Sequence, residues 1–274
     1  MLITGCSTGI GRETARHLAG LGGYTVYATA RKVETLADLE AAGCKTLALD
    51  VCDEASMTAA VSVVEEAEGA VWALVNNAGY SQSGAVESVP LDSIRRQFET
   101  NVFGLIRMCQ LVLPKMRGAG DGRIINIGSM GGKLTFPGGG IYHATKYSLE
   151  AISDAMRWEL AGFGIKVVLI EPGLIVTQFG DTAVGSVDET EDGPYAEFNR
   201  QVGETTAGAY DGPMKRLGGG PDAVAEKIEK VLGAANPKPR YTVTPSAKLA
   251  IGQRKLLTDR MWDRAMTTQF KRPG

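Results

Sequence analysis

The chain has 274 residues, 44% of them hydrophobic and 22% charged, enough for one well-buried core and short for two. Lysine and arginine total 29 against 31 acidic residues, and a net charge of −2 offers no general attraction for nucleic acid. The four cysteines lie far apart without C-x-x-C spacing, only two histidines occur, and neither a signal peptide nor a membrane-length apolar run is visible. A disulfide framework and a metal centre are therefore not expected, and a reducing, cytoplasmic setting is.

A short apolar run, Met1–Thr4, opens the chain as a strand. Central strands ordinarily have about 5–6 residues, so the chain either begins inside this one or lacks a few residues before it. Thr4-Gly5-Cys6-Ser7-Thr8-Gly9-Ile10-Gly11 follows, and apolar residues then recur at helical spacing through Ile10, Ala15, Leu18, Ala19 and Leu21. Strand, glycine-rich turn and helix together make a pyrophosphate site. The helix N-terminus offers unpaired N–H groups and the positive end of its dipole, and glycine allows close backbone approach. The spacing is G-x-x-x-G-x-G rather than G-x-G-x-x-G, so an ordinary glycine-rich turn competes while the motif stands alone.

Strand-like and helical runs then alternate. They are strands Tyr24–Ala30 and Thr46–Asp50, helix Glu54–Glu68, strand Val71–Asn76, a helical stretch Leu91–Arg117, strand Arg123–Ser129, helix Tyr142–Gly162 and strand Lys166–Glu171. This alternation predicts an α/β fold, a doubly wound, Rossmann-type parallel sheet with helices on both faces. Ligands of such sheets sit beyond the carboxyl ends of the strands, and Gly5–Gly11, Asp50, Asn77–Gly79, Ser129 and Pro172 all follow strand ends. Residues 176–220 are rich in Gly, Thr, Asp and Glu; a loop this long is a functional lid or disordered, and a substrate lid is expected. Pro221 opens a helix to Leu232, Arg240–Thr244 reads as a last edge strand, and 245–274 as a helical tail. The whole of 1–274 reads as one catalytic domain.

Tyr142 and Lys146 stand four apart, on one face of their helix. A cation beside a phenol favours the phenolate and pulls its pKa down from ~10, which makes the phenol a usable proton donor and acceptor. By itself a Y-x-x-x-K pattern arises often by chance.

Taken together, Thr4–Gly11, Asn76-Asn77-Ala78-Gly79, Asn101, Ser129, Tyr142 with Lys146, and Pro172-Gly173 resemble the short-chain dehydrogenase/reductase family in order and spacing. The resemblance is close over residues 1 to 180 and holds only in general layout over the last third. It implies an NAD(P)-dependent oxidoreductase acting on CH–OH groups, with a tetrad of Asn101, Ser129, Tyr142 and Lys146. In that scheme Tyr142 exchanges a proton with the substrate oxygen, while Lys146 lowers the phenol's pKa and holds the nicotinamide ribose. Ser129 donates to the same substrate oxygen, where negative charge develops, and Asn101 holds a water linking Lys146 to solvent.

The cofactor contacts that the resemblance implies are Gly5, Ser7, Thr8, Gly9, Ile10 and Gly11 in the glycine loop, and Asp50 and Val51 at the adenine. Asn77 and Ala78 would line the ribose, with Tyr142 and Lys146, and Pro172, Ile175 and Thr177 would reach the nicotinamide end. Plainer roles compete: Asp50 as the cap of the helix starting near Ala55, Thr177 as a helix cap, Asn77–Gly79 as a simple turn. At the end of the second strand Ala30 stands where NAD-preferring relatives carry Asp, and Arg31 follows. An acidic residue there binds the ribose hydroxyls of NAD, whereas an arginine accommodates the 2′-phosphate of NADP with bidentate, charge-assisted bonds. NADP(H) is therefore expected, with NAD as the alternative.

Within the family, Tyr27–Arg31 and the layout look most like the 17β-hydroxysteroid-dehydrogenase-like branch. That implies a lipophilic ketone or alcohol, steroid-, retinoid- or lipid-like, in an apolar cavity of Leu134, Phe136, Phe179, Tyr195, Phe198 and Tyr210. A 3-oxoacyl-thioester reductase and a non-catalytic NADP-sensing protein are the alternatives, the intact tetrad weighing against the second. A serine hydrolase is rejected, because Ile127-Gly128-Ser129-Met130-Gly131 is not G-x-S-x-G and neither histidine follows Ser129 at a plausible distance, His143 being expected on a different side of the helix from Tyr142. The tail Lys248–Arg272 mixes Leu249, Leu256, Leu257, Met261, Trp262, Met266 and Phe270 with basic residues. A helix covering the pocket or a subunit contact is preferred there to a basic amphipathic helix on a membrane, so membrane contact is not expected. The family's long helices commonly pair between subunits, and a homodimer or homotetramer is expected.

Overall fold

The computed structural model describes residues 1–187, 193–211 and 216–273. Seven strands form one parallel sheet: β1 Leu2–Ile3, β2 Tyr27–Ala30, β3 Lys45–Ala48, β4 Ala73–Asn76, β5 Gly122–Ile127, β6 Ile165–Pro172 and β7 Arg240–Val243. Their order is β3-β2-β1-β4-β5-β6-β7, so the winding reverses between β1 and β4. That reversal opens the crevice in which doubly wound folds bind ligands.

Side chains alternate across the sheet and supply two cores. Ile3, Ala73, Val75, Ile125, Ile127, Val168 and Ile170 pack on one face with helices α1 (Gly9–Gly20) and α9 (Pro221–Leu232). Leu2, Leu74, Ile124, Val167 and Leu169 pack on the other with α3 (Glu54–Glu68) and α5 (Gly104–Ala119). Each such fully buried aliphatic side chain contributes about 1.5–3 kcal/mol. With both faces covered, β1, β2, β4 and β5 are buried along their whole length, while the edge strands β3 and β7 are largely half-buried or exposed.

Local chemistry sets the helix ends near the site. Asp53, not Asp50, caps α3, its carboxylate accepting from the N–H groups of Ala55 and Ser56 at 2.9 and 3.3 Å. The Asp50 carboxylate instead accepts from the N–H of Cys52 at 3.0 Å. The expected helix Leu91–Arg117 is divided: α4 (Leu91–Phe98) and α5 are joined by a π-helical turn, Glu99–Phe103. Gly104 follows that turn because α5 lies against Val51; a Cβ there would stand 2.5 Å from the Val51 carbonyl oxygen. Between β2 and β3 runs the short α2, Ala37–Ala41.

The segment expected as a loop is largely helical. α7 spans Phe179–Gly185 and α8 Ala196–Asp211, while residues 188–192 and 212–215 of the expected lid lie outside the described residues. Tertiary contact outweighs the weak helix propensity of its glycines and threonines. Phe198 and Val202 of α8 pack with Val187 and Phe270. Asn199 accepts from the N–H of Ala85 at 2.9 Å and donates to the Ser88 hydroxyl at 3.1 Å. The tail forms two helices, α10 (Pro245–Leu256) and α11 (Asp259–Met266), after α6 (Gly140–Leu160) and β7. No helix among the described residues is long and apolar enough to cross a membrane.

Candidate active site

The glycine loop between β1 and α1 is built around backbone that needs glycine. Gly5 and Gly9 have φ of 72° and 59°, a left-handed region that side chains disfavour. A Cβ on Gly11 would lie 2.5 Å from the Gly5 carbonyl oxygen. The Asn77 side chain closes this turn, its Nδ2 donating to the carbonyls of Thr4 and Gly5, each at 2.9 Å. Thr4 Oγ1 in turn accepts from the N–H groups of Asn77 and Ala78, each at 3.0 Å. Thr4 was not singled out in the sequence; a threonine at a strand end carries no distinct signal until the strand beyond it is known. Arg12 braces the same loop from outside, donating to the Ser7 carbonyl at 2.8 Å and pairing with Asp38.

This cradle fits a dinucleotide phosphate. Helix α1 has no side-chain cap at Thr8 and no acidic residue in its first turn, so the helix itself supplies no anion to its N-terminal N–H groups and dipole. Arg31, at the end of β2, makes no ion pair among the described residues and lines the same cleft. Of the catalytic and cofactor residues expected from the sequence, only Gly11 and Asn101 lie outside the lining of a single cavity of ≈ 1550 Å³. Thr177 reaches over Gly9, where a Cβ would meet its side chain at 3.4 Å, and also caps α7 by accepting from the N–H of Phe179 at 3.2 Å. Ile175 is held by a parallel bridge to Gly219.

Tyr142 sits at the start of α6, where the cradle meets the rest of the cavity. The Ser129 hydroxyl accepts from the N–H of Gly131 at 3.0 Å, which aims its own O–H away from the turn. Burial pushes the Tyr142 phenol well above its ordinary pKa, and the hydrogen bond from Ser129 pulls the other way. The expected depression by Lys146 does not appear. Its ammonium donates to the Ile127 carbonyl at 2.8 Å and stands 5.7 Å from the Tyr142 ring centre, and burial lowers its pKa to about 8. Desolvation dominates both groups, so the phenol is held as a neutral acid.

Asn101 lies in the π-helical turn behind this group. Its side chain accepts from the N–H of Tyr80 at 3.1 Å and donates to the Tyr80 carbonyl and the Thr145 hydroxyl, at 2.9 and 3.1 Å. The side chain thus ties three segments together, and no direct bond joins it to Lys146. His143 is engaged elsewhere: Nδ1 bonds the Gly131 carbonyl at 2.9 Å and Nε2 accepts from the N–H of Phe136 at 3.3 Å. Burial lowers its pKa, which matches the neutral tautomer those partners require. It is not a base for Ser129.

Beyond Tyr142 the cavity is walled by Phe136, Phe179 and Tyr210, as expected, and by Val202, Leu257, Trp262, Met266 and Phe270. Leu134, expected in the wall, is fully buried behind it against Trp262 and Ile251. Tyr195 and Phe198 face an outer groove instead. Trp262 is fixed by donating Nε1–H to the Thr135 carbonyl at 3.1 Å. The tail therefore covers the pocket, one of the two roles preferred for it.

The family model for short chain dehydrogenases matches residues 1–185. The 3-ketodihydrosphingosine reductase of Bacteroides thetaiotaomicron is 34% identical over 97% of this chain and 96% of its own length. The NADPH-dependent 3-dehydrocapnine reductase of Ornithobacterium rhinotracheale is 32% identical over 99% and 97%. Among solved structures, a short-chain dehydrogenase from Streptomyces avermitilis superposes with a TM-score of 0.78 at 32% identity, covering 97% of this chain and 93% of that one. On these grounds the chain belongs to the short-chain dehydrogenase/reductase family, oxidoreductases acting on CH–OH groups.

Proposed function

We propose that this protein reduces a lipophilic ketone with NADPH. The observation that carries the proposal is the position of Tyr142, a half-buried phenol bonded by Ser129, where a phosphate-fitting cradle runs into a largely apolar cavity. NADPH supplies the hydride that the carbonyl carbon receives. Tyr142 delivers its proton to the carbonyl oxygen, and Ser129 donates to that oxygen as charge develops there. Lys146 holds the nicotinamide ribose and restores the proton to Tyr142, while the Asn101 side chain, taken up by Tyr80 and Thr145, leaves only its backbone to hold a relay water. Gly5, Ser7, Thr8, Gly9, Ile10 and Gly11 hold the pyrophosphate, Arg31 the 2′-phosphate, and Asp50 with Val51 the adenine. Pro172, Ile175 and Thr177 support the nicotinamide end. That two relatives are reductases by name, one NADPH-dependent, supports both the direction and the cofactor.

The lid and tail side of the cavity is lined by Phe136, Phe179, Val202, Tyr210, Leu257, Trp262, Met266 and Phe270 with uncharged polar residues such as Thr205, Thr206, Gln253 and Gln269, and with no carboxylate or ammonium there among the described residues. This favours an alkyl chain over a charged carrier-bound substrate. NADPH oxidation should therefore be faster with long-chain ketones than with short polar ones, and should fall by about 10²–10⁴ in Tyr142→Phe. Equal rates on long and short ketones would sink the substrate class. Assembly as a homodimer or homotetramer is supported by Phe103, Tyr147, Trp158 and Phe163, exposed on and beside α5 and α6; sedimentation as a monomer would contradict it.

A further inference from the structure

The cavity's outer lip is formed by the tail, and its outward face differs from the rest of the molecule. Residues 245–273 carry seven basic and two acidic side chains, a local charge of +5 in a chain whose net charge is −2. Among the described residues the only ion pair these helices make is Arg254 with Asp259. Lys248, Lys255, Arg260 and Arg264 are exposed and make no ion pair among the described residues.

The same face carries apolar side chains. Leu249, Leu256 and Met261 are 49%, 85% and 51% exposed, while Ala247, Ile251, Trp262 and Met266 point inward and are buried. On α10, Leu249 and Leu256 are seven residues apart and so are Lys248 and Lys255, which places two adjacent stripes along one side of the helix. Leu256 is both the most exposed large apolar residue named in the chain and a lining residue of the cavity. Apolar tips among unpaired cations, at the mouth of an apolar tunnel, match the layered chemistry of a bilayer surface with anionic headgroups.

We propose that the outward face of α10 and α11 docks on an anionic phospholipid surface, so that the cavity mouth opens toward the acyl region. The face buries its leucines in the interface while Lys248, Lys255, Arg260 and Arg264 meet lipid phosphates. A lipophilic substrate then enters from the membrane without crossing water; this last step rests on the substrate class proposed above, whereas the docking itself does not. A second copy of the chain is the competing occupant, and the +5 charge of the face disfavours its pairing with itself.

The test is flotation of the intact protein with vesicles of phosphatidylcholine alone and of phosphatidylcholine mixed with phosphatidylglycerol. The wild type should float with the anionic vesicles only and should be released by added salt. A Lys248→Glu, Leu249→Glu, Lys255→Glu variant, none of whose positions lines the cavity, should lose at least about tenfold in partitioning. Its unfolding temperature and its turnover of a short soluble ketone should match the wild type. Equal flotation on both vesicles, or equal flotation of wild type and variant, would overturn the proposal. So would a wild type that stays unbound while the variant alone changes its sedimentation, which would make the face a subunit contact. Anionic flotation without any preference for long-chain ketones would leave the docking standing and sink the substrate class instead.

Discussion

Replacing Asn77 by alanine removes the side chain that closes the glycine loop. Two hydrogen bonds go, Nδ2 to the Thr4 carbonyl and Nδ2 to the Gly5 carbonyl, each 2.9 Å and partly buried. At about 1 kcal/mol net apiece the loss is about 2 kcal/mol. If the loop must be reordered when NADPH binds, the whole of this appears in the dissociation constant, about thirtyfold weaker. If the loop stays put, it appears in stability alone, a fall of about 4 °C in Tm for a chain of this size. Both carbonyls belong to the turn that presents the α1 N-terminus, so affinity should fall between about fivefold and thirtyfold together with the Tm loss. Calorimetry and titration of NADPH fluorescence measure the two. Asn77→Asp should be worse than alanine, since a carboxylate would face the same two carbonyls. A lowered Tm with unchanged NADPH affinity would refute the reasoning, because Asn77 would then hold the fold without shaping the cradle.

Arg31→Asp should move cofactor preference from NADPH toward NADH by about tenfold or more, since a charge-assisted pair is lost and a like charge is set near the 2′-phosphate. Unchanged relative kcat/KM values for the two cofactors would contradict the assignment. For Lys146 the sign follows from its lowered pKa, about 8 against 10.5. The unfolded chain binds more protons between those values, so burial of the ammonium destabilises the wild type fully below about pH 8 and fades as pH approaches 10.5. Lys146→Met should accordingly gain relative stability of roughly 3 kcal/mol at neutral pH and lose that advantage as pH rises. Denaturant unfolding across that window checks it, and a pH-independent difference would count against it.

Two helices matched their expected bounds. α9, Pro221–Leu232, is marked by the proline it begins on, whereas α3, Glu54–Glu68, is capped by Asp53 and not by the Asp50 that the sequence offered. The parallel sheet followed from alternation, but strand ends did not: β2 gives up Tyr24–Val26 at its amino end, whereas β6, Ile165–Pro172, runs one residue further at each end than expected. The helices over 179–185 and 196–211 were hidden because their stability comes from Phe198, Val202 and Asn199 meeting distant residues, not from local propensity. The π-helical turn at Glu99–Phe103 was hidden too, since one extra residue barely disturbs a helical period.

At the site, residue identities were legible and their directions were not. The family spacing brought sixteen expected residues to one cavity, yet nothing in it told that Asn77 turns its amide to the loop or that Asn101 spends its side chain on Tyr80 and Thr145. The rise in the Tyr142 pKa has the same origin. It depends on the desolvation of the phenol among its neighbours and on its hydrogen bond with Ser129, both properties of the packed molecule.

The central claim is that Tyr142 is the proton donor of an NADPH-dependent ketone reductase. It is tested most directly by measuring NADPH binding and single-turnover NADPH oxidation with a long-chain ketone in the wild type and in Tyr142→Phe. The account predicts equal NADPH affinity and a rate lower by about 10²–10⁴ in the variant. Equal single-turnover rates in the two proteins would contradict it.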